Sequence, residues 1–502
     1  MSTSNDYLSA RLSKGGDIQF LPNAFASGGM KDVHRASNAK FVVAFYRGSI
    51  DEIEWESRLL DVINKYNPTL TTQKNHLYWG NLFCWPIDIC RHAEKGLGIV
   101  LPYYPENYFF RLGGCKDKEK DGGWFNCKHP QTNKLLRYSI VDPAERGNLR
   151  GYLSSLISVC RAVNRLHAAG LAHSDLSDKN VLIDPVLGTA ILIDLDALIV
   201  KGLIIPGVLG TPRFIAPEVL ATRHLSLTDP LKQLPSENTD RHALAVLIYN
   251  YLLERHPLMG RRNFKGFSAE QENEVEFGIE ALYSEHPSDE SNKPADLYFP
   301  SSILGSGISN AFKLAFVNCL QHDFHNRPSA STWASLLESA LDRCVPCPNP
   351  ECTHKWFILI DIHNPICPYC NSAYKGWLFK IVFDRPRQPG WHDLISELVL
   401  QSCSGEETEI FPFHVSNSEP RGPGQESQPL ARIRNNSSFP SGFGIENVSA
   451  VDMIVSHYGV GSPLSTKILI GQQIELIKDL RIQFRAPSQA TLRARVVGVF
   501  HV

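Results

Sequence analysis

His173-Ser174-Asp175-Leu176-Ser177-Asp178-Lys179-Asn180, followed by Val181-Leu182-Ile183-Asp184, is the stretch on which the fold turns. A polar, charge-rich octet opens directly into an apolar run. Before it, residues 149–169 have the apolar spacing of a strong amphipathic helix that stops at Gly170. After it, Ile191-Leu192-Ile193-Asp194-Leu195-Asp196 reads as a buried strand ending in an acidic triplet. Gly210-Thr211-Pro212-Arg213-Phe214-Ile215-Ala216-Pro217-Glu218 ends 24 positions past Asp194. A short motif arises by chance, so the octet gains weight only from companions that arrive in order.

The chain has 502 residues, too many for one hydrophobic core, so two to four domains are expected. Hydrophobic residues at 43% and charged residues at 20% are ordinary for a globular protein. A net charge of −2 gives no electrostatic reason to expect nucleic acid or an anionic membrane as partner. The first sixteen residues lack the apolar core of a signal peptide. The longest apolar stretch, 197–209, is interrupted by Lys201 and is too short to span a bilayer, so a cytoplasmic protein without membrane insertion is expected. Twelve cysteines are no disulfide scaffold. Five of them, Cys344, Cys347, Cys352, Cys367 and Cys370, fall within 27 positions, which suggests metal.

Taken together, the motifs between residues 173 and 218 resemble the protein kinase superfamily. The octet matches H-x-D-L-x-x-x-N, the acidic triplet stands where D-F-G would, and 210–218 matches G-T-x-x-[FY]-x-A-P-E. The resemblance implies that Asp175 accepts the proton of an attacking hydroxyl, Asn180 holds magnesium, and Asp194 chelates the magnesium that bridges the ATP phosphates. It further implies that Thr211 bonds the catalytic loop and Glu218 pairs with Arg327. Asp240, in Thr239-Asp240-Arg241-His242, would brace the loop backbone. There are departures. Ser174 replaces the arginine that often receives an activation-loop phosphate, so no such switch is expected, and Ser177 replaces a lysine. Lys179 supplies a positive charge near the phosphoryl group instead. Asp196 either stiffens its segment or adds a carboxylate near the metal.

Ahead of these lies what the resemblance makes a small lobe. Residues 24–43 read as three strands with Gly28-Gly29 at a turn, where a glycine-rich loop would cover the phosphates. The G-x-G-x-x-G pattern is degraded, with Ala26, Gly28 and Lys31 at its glycine positions. In Phe41-Val42-Val43-Ala44-Phe45-Tyr46 the phosphate-binding lysine of V-A-I-K is Ala44. Gly28-Gly29-Met30-Lys31-Asp32-Val33 resembles the with-no-lysine kinases, which places the missing charge at Lys31; a solvated strand lysine is the other reading. Residues 51–65 have helical spacing at Ile53, Leu59, Leu60 and Ile63. Glu56-Ser57-Arg58-Leu59-Leu60 resembles the helix whose glutamate pairs with the phosphate lysine, which implies Glu56 as the partner of Lys31, with Glu52 and Glu54 in the same segment. Ile99-Val100-Leu101-Pro102-Tyr103-Tyr104 looks like a last strand entering the hinge, where Leu101 and Tyr103 would border the adenine. Residues 105–147 are an insertion; its Cys115, Cys127 and His129 read as scattered loop residues.

The expected architecture is α+β: a bilobal kinase-like fold at 18–343 (small lobe 18–104, insertion 105–147, large lobe 148–343), a zinc ribbon at 344–375, and a small all-β, sandwich-like domain at 376–502. Cys347-Pro348-Asn349-Pro350-Glu351-Cys352 and Cys367-Pro368-Tyr369-Cys370 make two turns whose thiolates could close a tetrahedron on Zn2+. Cys344 is an alternative member of the first knuckle, although proline and asparagine favour Cys347 with Cys352. Several runs look like a bacterial branch of serine/threonine kinases linked to tellurite-resistance and stress operons, in which a zinc ribbon follows the kinase. That resemblance implies a von Willebrand factor A-domain protein and a metal-dependent protein phosphatase as partners. The expected function is ATP- and Mg2+-dependent phosphorylation of protein Ser/Thr hydroxyls. A pseudokinase scaffold is the alternative.

Overall fold

Seven strands within residues 8–102 build one antiparallel sheet, with alternating burial in the first two and burial on both faces in the central ones. The computed structural model describes residues 7–28, 30–48, 52–70, 76–126, 135–200, 210–262, 267–295, 299–375, 377–388, 391–401, 407–415, 428–449, 452–457, 464–477, 480–485 and 492–501. Strands β1 (Leu8–Leu12), β2 (Asp17–Phe20), β3 (Ala26–Ser27), β4 (Lys31–Arg35), β5 (Phe41–Tyr46), β6 (Asp88–His92) and β7 (Gly96–Pro102) order as β2-β1-β6-β7-β5-β4-β3. The sheet thus begins at Leu8, ahead of the expected boundary at 18. It also curls onto itself. Phe20 bridges Ala36, and the Leu21 amide donates to the Arg35 carbonyl at 2.9 Å. Ala10, Ile18, Phe20, Val43, Phe45 and Val100 fill the inside of the curl.

Strand periodicity of two sends the other residues of β5 outward. Ala44 and Tyr46 pack with Trp55, Leu59 and Ile99 beneath the helix Glu52–Leu60. The expected helical face is partly out of phase: Ile53 is 82% exposed, while Trp55 and Arg58 are buried. A π-helical turn, Asp61–Lys65, continues the helix and brings Val62 and Ile63 inward.

In the large lobe, the helix Leu149–Ala168 buries Leu153, Leu156, Cys160, Val163 and Leu166 and ends before Gly170 at φ 73°. The polar octet then lies between two short pairs. β8 (Leu171–Ala172) pairs antiparallel with β11 (Ile199–Val200), and β9 (Val181–Asp184) with β10 (Thr189–Leu192). The helix Glu237–Leu253 opens with a Ser236/Thr239 capping box and is buried along most of its length. That cap fixes the first turn, and the first turn carries Asp240.

The chain divides into two compact units: 1–147, 151–301 and 307–335 in one, and 148–150, 302–306 and 336–502 in the other. In the second, β12 (Cys344–Pro346) and β13 (Trp356–Ile358) form the ribbon hairpin. The β-rich segment has two sheets. One orders β15-β14-β23-β22-β19-β20, from β14 (Trp377–Gln388), β15 (Trp391–Gln401), β19 (Asp452–His457), β20 (Leu464–Ile468), β22 (Leu480–Arg485) and β23 (Leu492–His501). The other orders β16-β17-β18-β21, from β16 (Thr408–Ile410), β17 (Ala431–Asn435), β18 (Phe443–Asn447) and β21 (Gln473–Glu475). Their inner faces share a core that includes Ile381, Phe383, Ile433, Ile445, Met453 and Ile482, as the sandwich expectation required. β16 stops at Ile410, and Pro412–Val415 is a helical turn, because proline brings no amide to a ladder. Ribbon and sandwich are not separate cores: Val345, Phe357 and Leu359 cluster with Leu378 and Val399.

Candidate active site

The octet is held rigidly from below. Both carboxylate oxygens of Asp240 accept loop amides, His173 N–H at 2.7 Å and Ser174 N–H at 3.2 Å. His173 Nε2 donates to the Ile193 carbonyl at 3.0 Å, which ties the loop to the strand before Asp194. Ser174 takes the left-handed conformation at φ 67°, and its hydroxyl donates to the Ala197 carbonyl at 3.2 Å. A serine hydroxyl therefore makes the link to the start of the activation segment. Residues 201–209 of that segment lie outside the described residues.

Asp175 is held by three hydrogen bonds from two neighbours. Its Oδ1 accepts from the Thr211 amide at 2.7 Å and hydroxyl at 2.9 Å, and its Oδ2 accepts from Asn180 Nδ2 at 2.9 Å. Asn180 also donates to the Asp175 carbonyl at 2.7 Å. Asp175, Asn180 and Thr211 thus form one bonded set.

Above the loop is a cleft of about 270 Å³, lined among others by Gly28, Lys31, Ala44, Leu101, Tyr103, Asn180 and Asp194. Six residues expected around the nucleotide therefore meet in one place. Gly29 lies outside the described residues. The Tyr103 amide is already bonded to the Lys40 carbonyl at 2.8 Å, so Tyr103 offers the cleft its side of the wall and not that donor.

Strand register explains how Lys31 can stand in for a lysine at position 44. Val33 faces Ala44 and Lys31 faces Tyr46, so Lys31 sits on the same sheet face, one pair along and one strand over. Its amine bonds the Asp194 carboxylate and, at 2.5 Å, Asp196 Oδ1. Burial works against its charge, but the two carboxylates outweigh burial and raise its pKa. Asp194, at φ 61°, is raised by partial desolvation within the cleft and by neighbouring Asp196, against the pull of Lys31. Burial also opposes ionisation of Asp196, yet Lys31 and the Tyr46 hydroxyl at 2.5 Å reverse the balance and lower it.

Two expected roles are corrected. Glu56 does not meet Lys31; it pairs with Arg91 at 2.6 Å, beside the Glu52–Arg91 pair. The helix meets the site through buried Arg58, one half-turn on, whose guanidinium donates to the carbonyls of Asp196 at 2.6 Å and Leu198. Lys179 does not line the cleft. It is 63% exposed and pairs with Asp121 at 3.1 Å.

That partner comes from the insertion, which is no loose loop. The Gly122 amide bonds the Asp178 carbonyl at 2.7 Å and the Ile183 amide bonds the Lys120 carbonyl at 3.0 Å. Lys120 is buried between Glu145 and Asp184, each at 3.4 Å. Cys115 is buried, while Cys127 and His129 lie outside the described residues. Sequence reasoning missed Tyr46, Arg58 and Asp121, and also Cys84 and Glu119, which line the cleft. For Tyr46 there was a signal, since it shares the face of Ala44 two positions on. Glu119 and Asp121 enter by a long loop closure that has no local signature.

In the second unit, Cys347, Cys352, Cys367 and Cys370 bring their Sγ atoms within 4.8 Å of one another. Cys347–Cys370 and Cys352–Cys367 stand 3.4 and 3.9 Å apart. A tetrahedron of thiolates around zinc has edges of about 3.8 Å, given Zn–S near 2.3 Å. The cluster therefore fits Zn2+, and the spacing is far beyond a disulfide's ~2.05 Å. Cys344 stays on β12 opposite Ile358, outside the group. Metal analysis of purified protein is expected to find about one zinc per chain, with no loss in Cys344→Ser and complete loss in Cys367→Ser. Metal-free but well-folded parent protein would refute the site.

The two lobes, the braced loop and the cleft between them define a protein kinase fold, followed by a four-cysteine cluster and β-sheets. Residues 140–338 match the family model described as the protein kinase domain. Distant similarity runs to bacterial kinases. The chain is 29% identical over 146 residues to "Serine/threonine-protein kinase PknD" of Chlamydia felis and 30% identical over 146 residues to its Chlamydia abortus counterpart, covering 25% of this chain in each case. The chain spans only 14% of the length of those relatives. Among solved structures it is similar to a Toxoplasma gondii rhoptry antigen kinase domain, with TM-score 0.41 and 12% identity over 68% of this chain and 87% of that one. No helix among the described residues is long and apolar enough to cross a membrane.

Proposed function

We propose that the chain is an active protein kinase that transfers the γ-phosphoryl group of ATP to a protein Ser/Thr hydroxyl. The observation that carries this reading is the meeting of Lys31, Asn180 and Asp194 in one cleft, with Asn180 bonded to Asp175 at 2.9 Å. The residues fit Mg-ATP: two carboxylates here already hold a cation, the Lys31 amine, and Asn180 lines the same cleft as Asp194. Mg2+, when bound, supplies charge neutralisation across the β- and γ-phosphates. Asp194 and Asn180 would hold it. Lys31 reaches the phosphates from the roof of the cleft, and Asp175 orients the acceptor hydroxyl and takes up its proton. This chemistry rests on positioning and electrostatics, so a relocated amine serves if its charge arrives at the same point.

The resemblance to stress-operon kinases supports the finer reading of a bacterial stress-response system with a von Willebrand factor A-domain protein and a metal-dependent phosphatase as partners. Against the scaffold alternative stands the retention of Asp175, Asn180 and Asp194 together, which a pure scaffold has no chemical need for. The test is Mg-ATP-dependent labelling of a protein acceptor by the full chain. Lys31→Ala is expected to lower turnover about 10²-fold, the scale of losing one charged donor to the transition state. Parent protein that neither binds Mg-ATP nor labels any protein overturns the kinase reading. Lys31→Ala as active as parent overturns the relocated lysine alone.

A further inference from the structure

A phosphate-binding lysine needs an anion behind it to hold its amine in the cleft, and here the helix supplies none. Glu56 is turned to Arg91, and Arg58 carries the wrong sign. The described ion pairs of Lys31 are with Asp194 and Asp196. These two carboxylates are placed very differently. Asp194 opens to the cleft, with its side chain 43% exposed, whereas Asp196 is 3% exposed. Both oxygens of Asp196 are engaged, Oδ1 by Lys31 and Oδ2 by the Tyr46 hydroxyl. Its own carbonyl is clamped by Arg58 at 2.6 Å, so the residue is fixed at side chain and backbone.

We propose that Asp196 is the positioning residue for Lys31, doing from the segment after Asp194 what a helix glutamate would otherwise do. The inference rests on the kinase reading of this cleft and adds to it a division of labour. Asp194, the more exposed carboxylate, would hold a divalent cation, whose charge would disfavour the Lys31 amine at that carboxylate. Asp196, walled off by Tyr46 and Arg58, would keep its hold on the amine. The helix contributes by holding the Asp196 backbone, so its coupling to the nucleotide runs through Arg58 and a carbonyl rather than through an ion pair with the lysine.

The test begins without nucleotide. Full-length protein is treated with an N-hydroxysuccinimide ester, and modification of Lys31 is followed by peptide mass spectrometry. Asp196→Asn is expected to speed Lys31 modification about tenfold or more, the scale of a lost charge-assisted bond. Tyr46→Phe, which frees one oxygen and leaves the charge, is expected to give a smaller rise. Binding of a non-hydrolysable Mg-ATP analogue should weaken about tenfold in Asp196→Asn while the Mg2+ concentration giving half-maximal binding stays at the parent value. An unchanged modification rate in folded Asp196→Asn overturns the proposal. So does a marked rise in the Mg2+ requirement, which would make Asp196 a metal ligand. If Asp196→Asn does not fold, an unchanged rate in folded Tyr46→Phe overturns it and a faster one supports it. The modification assay needs no turnover, so inactive parent protein would sink the kinase reading while the tether is still measured.

Discussion

Arg327→Ala is expected to destabilise the unit that contains both lobes by about 3–5 kcal/mol, the cost of stranding a buried charge. The guanidinium has five N–H donors, and every one has a partner. Nη1 donates to Glu218 Oε1 at 2.8 Å and the Asn238 carbonyl at 3.0 Å; Nη2 donates to Glu218 Oε2 at 2.9 Å and the Leu320 carbonyl at 3.3 Å. Nε donates to the Cys319 carbonyl at 3.0 Å. The Arg327 side chain has no exposure and Glu218 has 8%, so water cannot replace these bonds. Truncation leaves a buried carboxylate and three carbonyls without their donor. Arg327→Lys should rescue little, since lysine has three donors and no planar fork. Glu218→Gln with Arg327→Met should recover part of the loss by removing both charges. Chemical unfolding followed by circular dichroism measures all three. A loss under about 1 kcal/mol in Arg327→Ala would mean the pair is not the buried clamp described.

Asp175→Asn is expected to lower kcat by about 10²–10⁴-fold, the range for a lost general base, with affinity for Mg-ATP unchanged. The substitution is nearly isosteric, and the Thr211 amide and hydroxyl can still bond an amide oxygen in the Oδ1 position. At the Oδ2 position an NH2 would then face the NH2 of Asn180, donor against donor. The fold should survive, because Asp240 and His173 hold the loop independently. Single-turnover labelling and nucleotide binding separate the two effects. Undiminished turnover would remove Asp175 from the chemistry.

The large lobe was the most legible part of the chain. Its polar contacts join residues that each sit in a short motif, so Thr211 with Asp175, Asp240 with the loop backbone, and Glu218 with Arg327 could be matched pair by pair, and each pair is bonded; Lys179 is the octet's exception. The small lobe was less so. Lys31 was readable because a missing lysine at Ala44 demanded a substitute. Its partner was not, because Asp196 and Glu56 are equally plausible carboxylates until the helix phase is known, and Ile53 in the sequence argued for the wrong phase. The insertion had no readable signal. Asp121 reaches Lys179 across 58 positions by loop closure, and nothing in its neighbours encodes that return. In the sandwich, strands of five residues or fewer bounded by Gly, Asn and Ser, such as β17 and β18, were hidden by the separators around them.

The curled small-lobe sheet has a consequence for association. An open sheet presents a row of unmatched amides and carbonyls on which an extended segment of another protein can template itself. Here the strand that would be one margin, β2, returns to bond the chain just after β4 through Phe20 and Ala36, and β3 at the other margin is two residues long. Little rail is left for a guest strand. Recognition at this lobe is therefore a matter of side chains and surface shape, and self-templated stacking of its sheets into fibres is disfavoured by the same closure.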